Sequence, residues 1–289
     1  MQESEFQKIR SDAALVRCHV LRAIRMAESG HLAGSLGMAE VFSFLYNHVL
    51  RVKPDQPAWP ERDLLLLSAG HLCPVWYATL AVKGFFSVEE LLQLRHFGAK
   101  LQGHPYRDTH AGIENTSGSL GQGISQAVGL ALALQQKNSD RQVFVVSTDG
   151  EQNEGQVWEA YAFAAAHHLH NLTIVVDVNG IQQSGKTADV LDMGSLRDKW
   201  LSFGLTVAEA DGHDPASLEN AWEKIKLVDR PKVLACRTTP GKGIDFMENN
   251  YFYHAGLPDE KGWARAFEQV EKELTAVGIS LEEALGGAV

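Results

Sequence analysis

Asp149 and Asn179 stand thirty positions apart, each just past a run of residues that reads as a buried strand. Together they could hold one hard divalent cation. Gln142 to Ser147 (QVFVVS) leads into Thr148-Asp149-Gly150, and Leu172 to Val178 (LTIVVDV) leads into Asn179-Gly180-Ile181. Both runs are continuously apolar, as parallel strands covered on both faces are. Between them Trp158, Ala162, Ala165 and Leu169 recur at helical spacing, which predicts one crossover helix. In open parallel sheets ligands collect beyond the carboxyl ends of the strands, where Asp149 and Asn179 then lie. Magnesium takes about six oxygens, one or two from protein carboxylates and the rest from phosphate and water. Asp149 offers a carboxylate oxygen, Asn179 an amide oxygen and Ile181 a backbone carbonyl, leaving room for a diphosphate and water. The same residue types also make ordinary turns, and this pair alone leaves the two readings level.

Other loops carry chemistry-bearing residues. Ser117-Gly118-Ser119-Leu120-Gly121-Gln122-Gly123 opens a predicted helix, so its N–H groups and the helix dipole could face an anion. It lacks the Gly-Lys-Ser/Thr of a phosphate loop, and such a loop on its own is more often a tight turn than a phosphate cradle. Lys242, in Gly241-Lys242-Gly243 after a predicted strand, could reach a phosphate or simply be solvated. His31, His71, His104 and His254 each lie beside glycine, in loops or at predicted element ends. Without a cysteine pair or an HExxH helix, such a set suits hydrogen bonding and proton transfer to a polyhydroxylated substrate better than zinc. Glu154, at the start of the crossover helix, at minimum complements its dipole.

These residues need a scaffold. Phe6, Ile9, Ala13, Val16, Val20, Ala23 and Ala27 predict a helix running to Glu28, stopped at Ser29-Gly30 with Gly30 in a left-handed cap. Further helices are predicted over Met38 to Val49, Pro74 to Lys83, Val88 to Phe97, Gly121 to Gln136, Ser195 to Phe203 and Asp214 to Val228, and along the tail through Trp263 and Leu274. Strands are predicted at Leu64 to Ser68, Leu205 to Glu209 and Val233 to Arg237, besides the two above. Alternating strands and helices point to an α/β fold with a parallel sheet flanked by helices on both faces.

The 289 residues, 45% hydrophobic, can bury a sizeable core, and no linker, repeat or low-complexity tract divides them, so residues 1–289 are read as one domain. A net charge of −10 argues against nucleic acid or an anionic membrane as the main partner. Cys18, Cys73 and Cys236 are odd in number and far apart, as reduced core thiols are. The N-terminus does not read as a signal peptide, and no apolar run approaches the ~20 residues of a membrane span. The expectation is a cytoplasmic protein.

The loops together resemble the N-terminal, diphosphate-binding part of transketolases. The resemblance rests on Ser29-Gly-His31 with Ser35-Leu-Gly-Met38, Ser68-Ala-Gly-His71, Gly103-His-Pro105 and Ser117 to Gly123. It continues through Asp149-Gly150, Glu154-Gly155 and Asn179 to Gly241-Lys-Gly243, Phe246-Met-Glu248 and His254, in family order over nearly the whole chain. It implies thiamine diphosphate with magnesium or calcium, the metal held by Asp149, Asn179 and the Ile181 carbonyl. It implies His71, Gly118, Ser119, Leu120, Gly150, Glu151, Asn179 and Lys242 around the cofactor. His31, His71, His104 and His254 would line a sugar channel, and Glu154 would sit at a subunit contact. The implied chemistry is transfer of a two-carbon ketol unit from a ketose to an aldose, on sugar or sugar-phosphate substrates. The glutamate that activates the cofactor's pyrimidine belongs to a further part of such enzymes, so a second polypeptide with the pyrimidine-binding and C-terminal domains is expected, in an α2β2 heterotetramer. Thr148 replaces the family's usual glycine, and Ala69 and Pro240 stand where many relatives carry lysine. Two alternatives remain: the α subunit of a 2-oxo-acid dehydrogenase, and a cofactor-binding subunit without catalysis.

Overall fold

The computed structural model describes residues 1–286; the last three residues of the expected domain lie outside the described residues. In chain order the helices are α1 (Glu3–Ala27), α2 (Leu32–Gly37), α3 (Ala39–Phe44), α4 (Cys73–Val82), α5 (Gln122–Gln136), α6 (Gly155–Ala166), α7 (Thr187–Leu191), α8 (Leu196–Ser202), α9 (Pro215–Ile225), α10 (Glu260–Ala276) and α11 (Leu281–Ala284). The strands are β1 (Leu64–Leu67), β2 (Val143–Thr148), β3 (Leu172–Val178), the short pair β4 (Ile181–Gln182) and β5 (Gly185–Lys186), β6 (Thr206–Asp211) and β7 (Lys232–Arg237). Five of them form a parallel sheet in the order β1-β2-β3-β7-β6, as the α/β reading expected. None of the described helices is long and apolar enough to cross a membrane.

Why the central strands are mostly apolar is visible in where alternate residues go. Leu65, Leu67, Phe144, Val146, Val175, Leu234 and Cys236 pack with the buried residues of α1, α3, α4, α9 and α10. Leu64, Leu66, Val143, Val145, Leu172, Ile174, Val176, Val233 and Ala235 pack on the other face with those of α5 and α6 and with Trp200. With both faces covered, β1, β2 and β3 leave no exposed position, whereas the edge strand β6 exposes Glu209 and Asp211 and β7 exposes Arg237 at its end. Small residues set the spacing on the second face. A Cβ on Gly123 would stand 2.5 Å from the Ser68 Cα, so α5 can approach the end of β1 only with glycine there.

Three local expectations are corrected. The stretch Met38 to Val49 is helical but not α throughout: α3 ends at Phe44 and a π-helical turn continues it over Leu45–Val49, closed by Leu50 N–H donating to the Leu45 carbonyl. That turn lets the Asn47 amide donate to Asp12 and to the Ser43 carbonyl. Over Val88 to Phe97 only a 3-10 segment, Val88–Gln93, forms; Leu91 and Leu94 are both buried, and a three-residue repeat suits that spacing. Glu28 rather than Gly30 takes the left-handed cap of α1, with φ 47°, while a Cβ on Gly30 would press on Ile24 at 2.9 Å.

One buried ionic network anchors the helices that lead into the site. Arg17 of α1 donates to the Leu36 carbonyl at the end of α2, to Glu40 of α3 and to Glu273 of α10. Glu40 also meets His213 Nδ1 at 3.1 Å, and His213 Nε2 accepts from the Thr239 N–H past β7. Burial alone would raise the Glu40 carboxyl, but the Arg17 guanidinium and the His213 hydrogen bond overcome it and hold it at about 2, against an ordinary 4.5. A depressed carboxylate adds stability that is complete above pH 4.5 and is lost as the pH falls towards 2, here about 3 kcal/mol. Urea unfolding between these pH values should therefore show a steeper acid loss for the wild type than for Glu40→Gln, which starts less stable by about 3 kcal/mol or more because Arg17 loses a partner. Parallel curves would contradict this.

Candidate active site

The carboxyl ends of β1 and β2 and the start of α5 meet on one fully buried carboxylate, that of Glu151. It accepts from Ser68 Oγ (2.6 Å), Gly121 N–H (2.6 Å) and Ser147 Oγ (2.6 Å), while its own N–H donates to Thr148 Oγ1 (3.1 Å). Burial pushes its pKa up, and the hydrogen bonds from Ser147, Ser68 and Gly121 offset part of that rise. Thr148 thus stabilises its own turn through a hydroxyl. The Gly121 N–H, which as part of the glycine-rich loop was expected to be free for an external anion, is taken by the protein's own. Gly118 and Leu120 of the same loop do line the cavity above, and the space around the Gly118 Cα is open.

The ends of β2 and β3 bring Asp149, Asn179 and Ile181 close to one another. Asp149 Oδ1 accepts from Gly150 N–H (2.8 Å) and Oδ2 from Gly180 N–H (2.7 Å). The Asn179 amide donates to Asp177 Oδ2 (2.7 Å), and its Oδ1 accepts from Ile181 N–H (3.0 Å). Burial raises the Asp149 carboxyl to about 6 despite those backbone donors, and raises Asp177 to about 7 despite its bond from Thr238, with Asp149 nearby adding to it. Among the described residues no cationic side chain pairs with either of these buried acids, and the oxygens on offer suit a hard cation. This donor set fits a magnesium-type ion. Asp177, which orients Asn179, was not singled out from the sequence; an aspartate inside an apolar strand was the signal.

Asn179 and Ile181 of this set line a cavity of about 390 Å³ together with all four histidines, whereas Asp149 lines a second cleft with Val178, Gly180 and Trp200. Their ring centroids lie 5.3 Å (His31 to His71), 6.0 Å (His31 to His104), 5.5 Å (His31 to His254) and 5.0 Å (His71 to His254) apart. His31 caps α2, His71 lies in the 3-10 turn after β1, and His254 ends the 3-10 segment Tyr251–His254. Burial, then His254, Arg95 and His104, lowers His31 to about 4. Burial comes first for the others too, lowering His71, His104 and His254 below the usual imidazole value. At neutral pH the cluster is uncharged and can both donate and accept. His31 Nδ1 and Ser117 Oγ are buried without a hydrogen-bond partner. These open valences and the space at Gly118 fit a polar ligand such as a thiamine diphosphate and a sugar.

Gly118, Leu120, Gly150, Glu151, Glu154, Asn179 and Ile181 also line the cavity. Glu154 is exposed at the first turn of α6, and Ser119 is exposed on the loop without lining the cavity. Lys242 is not brought to it: it lines a separate cleft with Glu209, Asp211, His213, Arg237 and Thr239. Gln182, Gln183 and Ser184 line the cavity from the β4-β5 turn and carried no sequence signal.

Residues 9–268 match the family described as transketolase, thiamine diphosphate binding domain. The chain belongs to the transketolase family. It is 38% identical over 266 residues to one subunit of the 6-deoxy-6-sulfo-D-fructose transketolase of Clostridium sp. (strain MSTE9), covering 92% of this chain and 97% of that one. It is 35% identical to one subunit of the apulose-4-phosphate transketolase of Phocaeicola vulgatus, covering 89% and 92%. A transketolase crystal structure from Pichia stipitis superposes with a TM-score of 0.85 at 28% identity, over 94% of this chain but 41% of that one. The chain thus spans nearly the whole of the subunit-type relatives and under half of that longer transketolase. It corresponds to the N-terminal subunit of a split transketolase, a thiamine diphosphate-dependent ketol transferase.

Glu151→Ala leaves three donors around the transketolase-type site without their acceptor, and should lower the unfolding free energy by about 3–5 kcal/mol in urea. A loss under about 1 kcal/mol would mean that the Glu151 carboxylate does not hold the floor of the site.

Proposed function

We propose that this chain is the diphosphate-binding half of a cytoplasmic transketolase whose active site is completed by a partner polypeptide in an α2β2 assembly. The arrangement that carries the reading is four neutral imidazoles facing Asn179 and Ile181 across one cavity, with the Asp149 carboxylate held next to them by the Gly150 and Gly180 N–H groups. In it Asp149, Asn179 and the Ile181 carbonyl hold magnesium, or calcium in its place, and through it the diphosphate. Gly118, Leu120 and Gly150 let backbone approach the cofactor closely, and His71 hydrogen-bonds it. Bound thiamine diphosphate supplies the electron sink that lets a two-carbon unit leave one sugar and join another.

The remaining work falls to this chain's side chains. His31, His104 and His254, with His71, hold donor and acceptor hydroxyls and carry protons at their ring nitrogens, which their neutral state at pH 7 permits. Glu154, exposed at the first turn of α6, meets a second subunit. The two named relatives act on sugars bearing a sulfonate or phosphate, and we extend that anionic-sugar class to this chain. Ala69 and Pro240 are buried and bring no cation to the cavity, so the substrate's anionic end is met by the partner.

Co-purified with its partner, the chain should transfer a ketol unit only with thiamine diphosphate and a divalent ion. Asp149→Ala should weaken cofactor binding by about 10–100-fold. His31→Ala and His104→Ala should each lower kcat by about 10²-fold or more. Full turnover by the chain without a partner, or wild-type kcat in both histidine variants, would refute the proposal.

A further inference from the structure

Arg95 stands just outside the histidine cavity in a conformation that stability alone does not favour. Its φ is +62°, a left-handed value that costs a residue with a side chain about 1 kcal/mol. Its guanidinium is half-buried, with Nε buried and unpartnered, and its two hydrogen bonds go to neutral oxygens. Nη1 donates to Ser29 Oγ (3.0 Å), two residues before His31, and Nη2 donates to the carbonyl of Gly103 (3.2 Å), the residue before His104. A Cβ on Gly103 would meet the Arg95 Cζ at 2.8 Å, so the guanidinium lies against bare backbone.

We propose that Arg95 is a positioning residue for ketol transfer: its forked guanidinium ties the loop bearing His31 to the loop bearing His104 and sets their spacing across the cavity. The inference rests on the function proposed above. Ser29 and Arg95 are 66 positions apart in the chain, so the link between the loops is tertiary. A planar fork satisfies two acceptors in fixed directions at once, whereas a lysine ammonium carries the charge without that geometry. The charge acts as well. Arg95 adds to burial in keeping both His31 and His104 neutral. The titratable or charged groups facing these two imidazoles are each other, His71, His254 and Arg95.

The test uses the reconstituted complex, with histidines of this chain labelled for NMR titration. Arg95→Met should raise the midpoints of His31 and His104 by about half a unit as the nearby positive charge is lost. The acid limb of kcat/KM should move up with them, and kcat should fall about tenfold as the spacing relaxes. Arg95→Lys should leave the midpoints near wild type yet still lower kcat, separating charge from fork. Unchanged titrations, pH profile and kcat in Arg95→Met would overturn the proposal, as would a loss confined to thermal stability with kcat per folded complex intact. Should Arg95→Met fail to fold, Ser29→Ala removes one acceptor only; wild-type kcat there and in Arg95→Lys would equally overturn it. Absence of ketol transfer in the wild-type complex would instead refute the function reading, while the histidine midpoints still report on Arg95.

Discussion

A carboxylate with no access to water organises this molecule. Glu151 gathers the Ser68 and Ser147 hydroxyls and the Gly121 N–H, which belong to the ends of two strands and the entry to a helix. Burying a carboxylate is costly unless donors surround it, and those donors come from segments 83, 30 and 4 positions away in sequence, so satisfying it fixes where the segments sit. The same contact holds the Gly118 to Leu120 turn beside the Asp149 turn. Close approach of α5 to β1, which only Gly123 permits, is the steric counterpart of that knot.

The two sides of the cavity are desolvated in opposite chemical senses. Next to Asn179 and Ile181, which line one side, burial raises the acids Asp149 and Asp177. On the other, burial and mutual proximity lower the histidines, leaving neutral imidazoles. Under the proposed reading a cation answers the first and a polyhydroxylated molecule the second. The chain belongs to the transketolase family and spans under half of a full-length transketolase; under the proposed reading a partner polypeptide completes the site.

Behind the cavity, Arg17, Glu40, Glu273 and His213 link α1, α3, α10 and the segment past β7, and with them the short α2 that His31 caps. The histidine wall therefore rests on a salt-bridged base, and the acid wall on strand ends. Arg95 connects loops within the histidine wall itself.

Much of this was legible in sequence because it depends on local pattern. Continuous apolar runs ended by Thr148-Asp149-Gly150 and by Asn179-Gly180 are enough to announce buried parallel strands with acceptors at their ends, and glycine beside each of four histidines is enough to mark loops. Where the pattern is local but the outcome depends on neighbours, it misled. The Met38 to Val49 helix widens into a π turn that serves Asp12, and the Val88 to Phe97 periodicity gave way to a 3-10 segment. Which N–H groups of the glycine-rich loop stay free, that Lys242 lies in another cleft, that Asp177 orients Asn179 and that Arg95 bridges two histidine loops were all decided by tertiary structure. Each depends on which distant donor reaches which buried acceptor, and that is a property of the packed chain rather than of any one stretch of it.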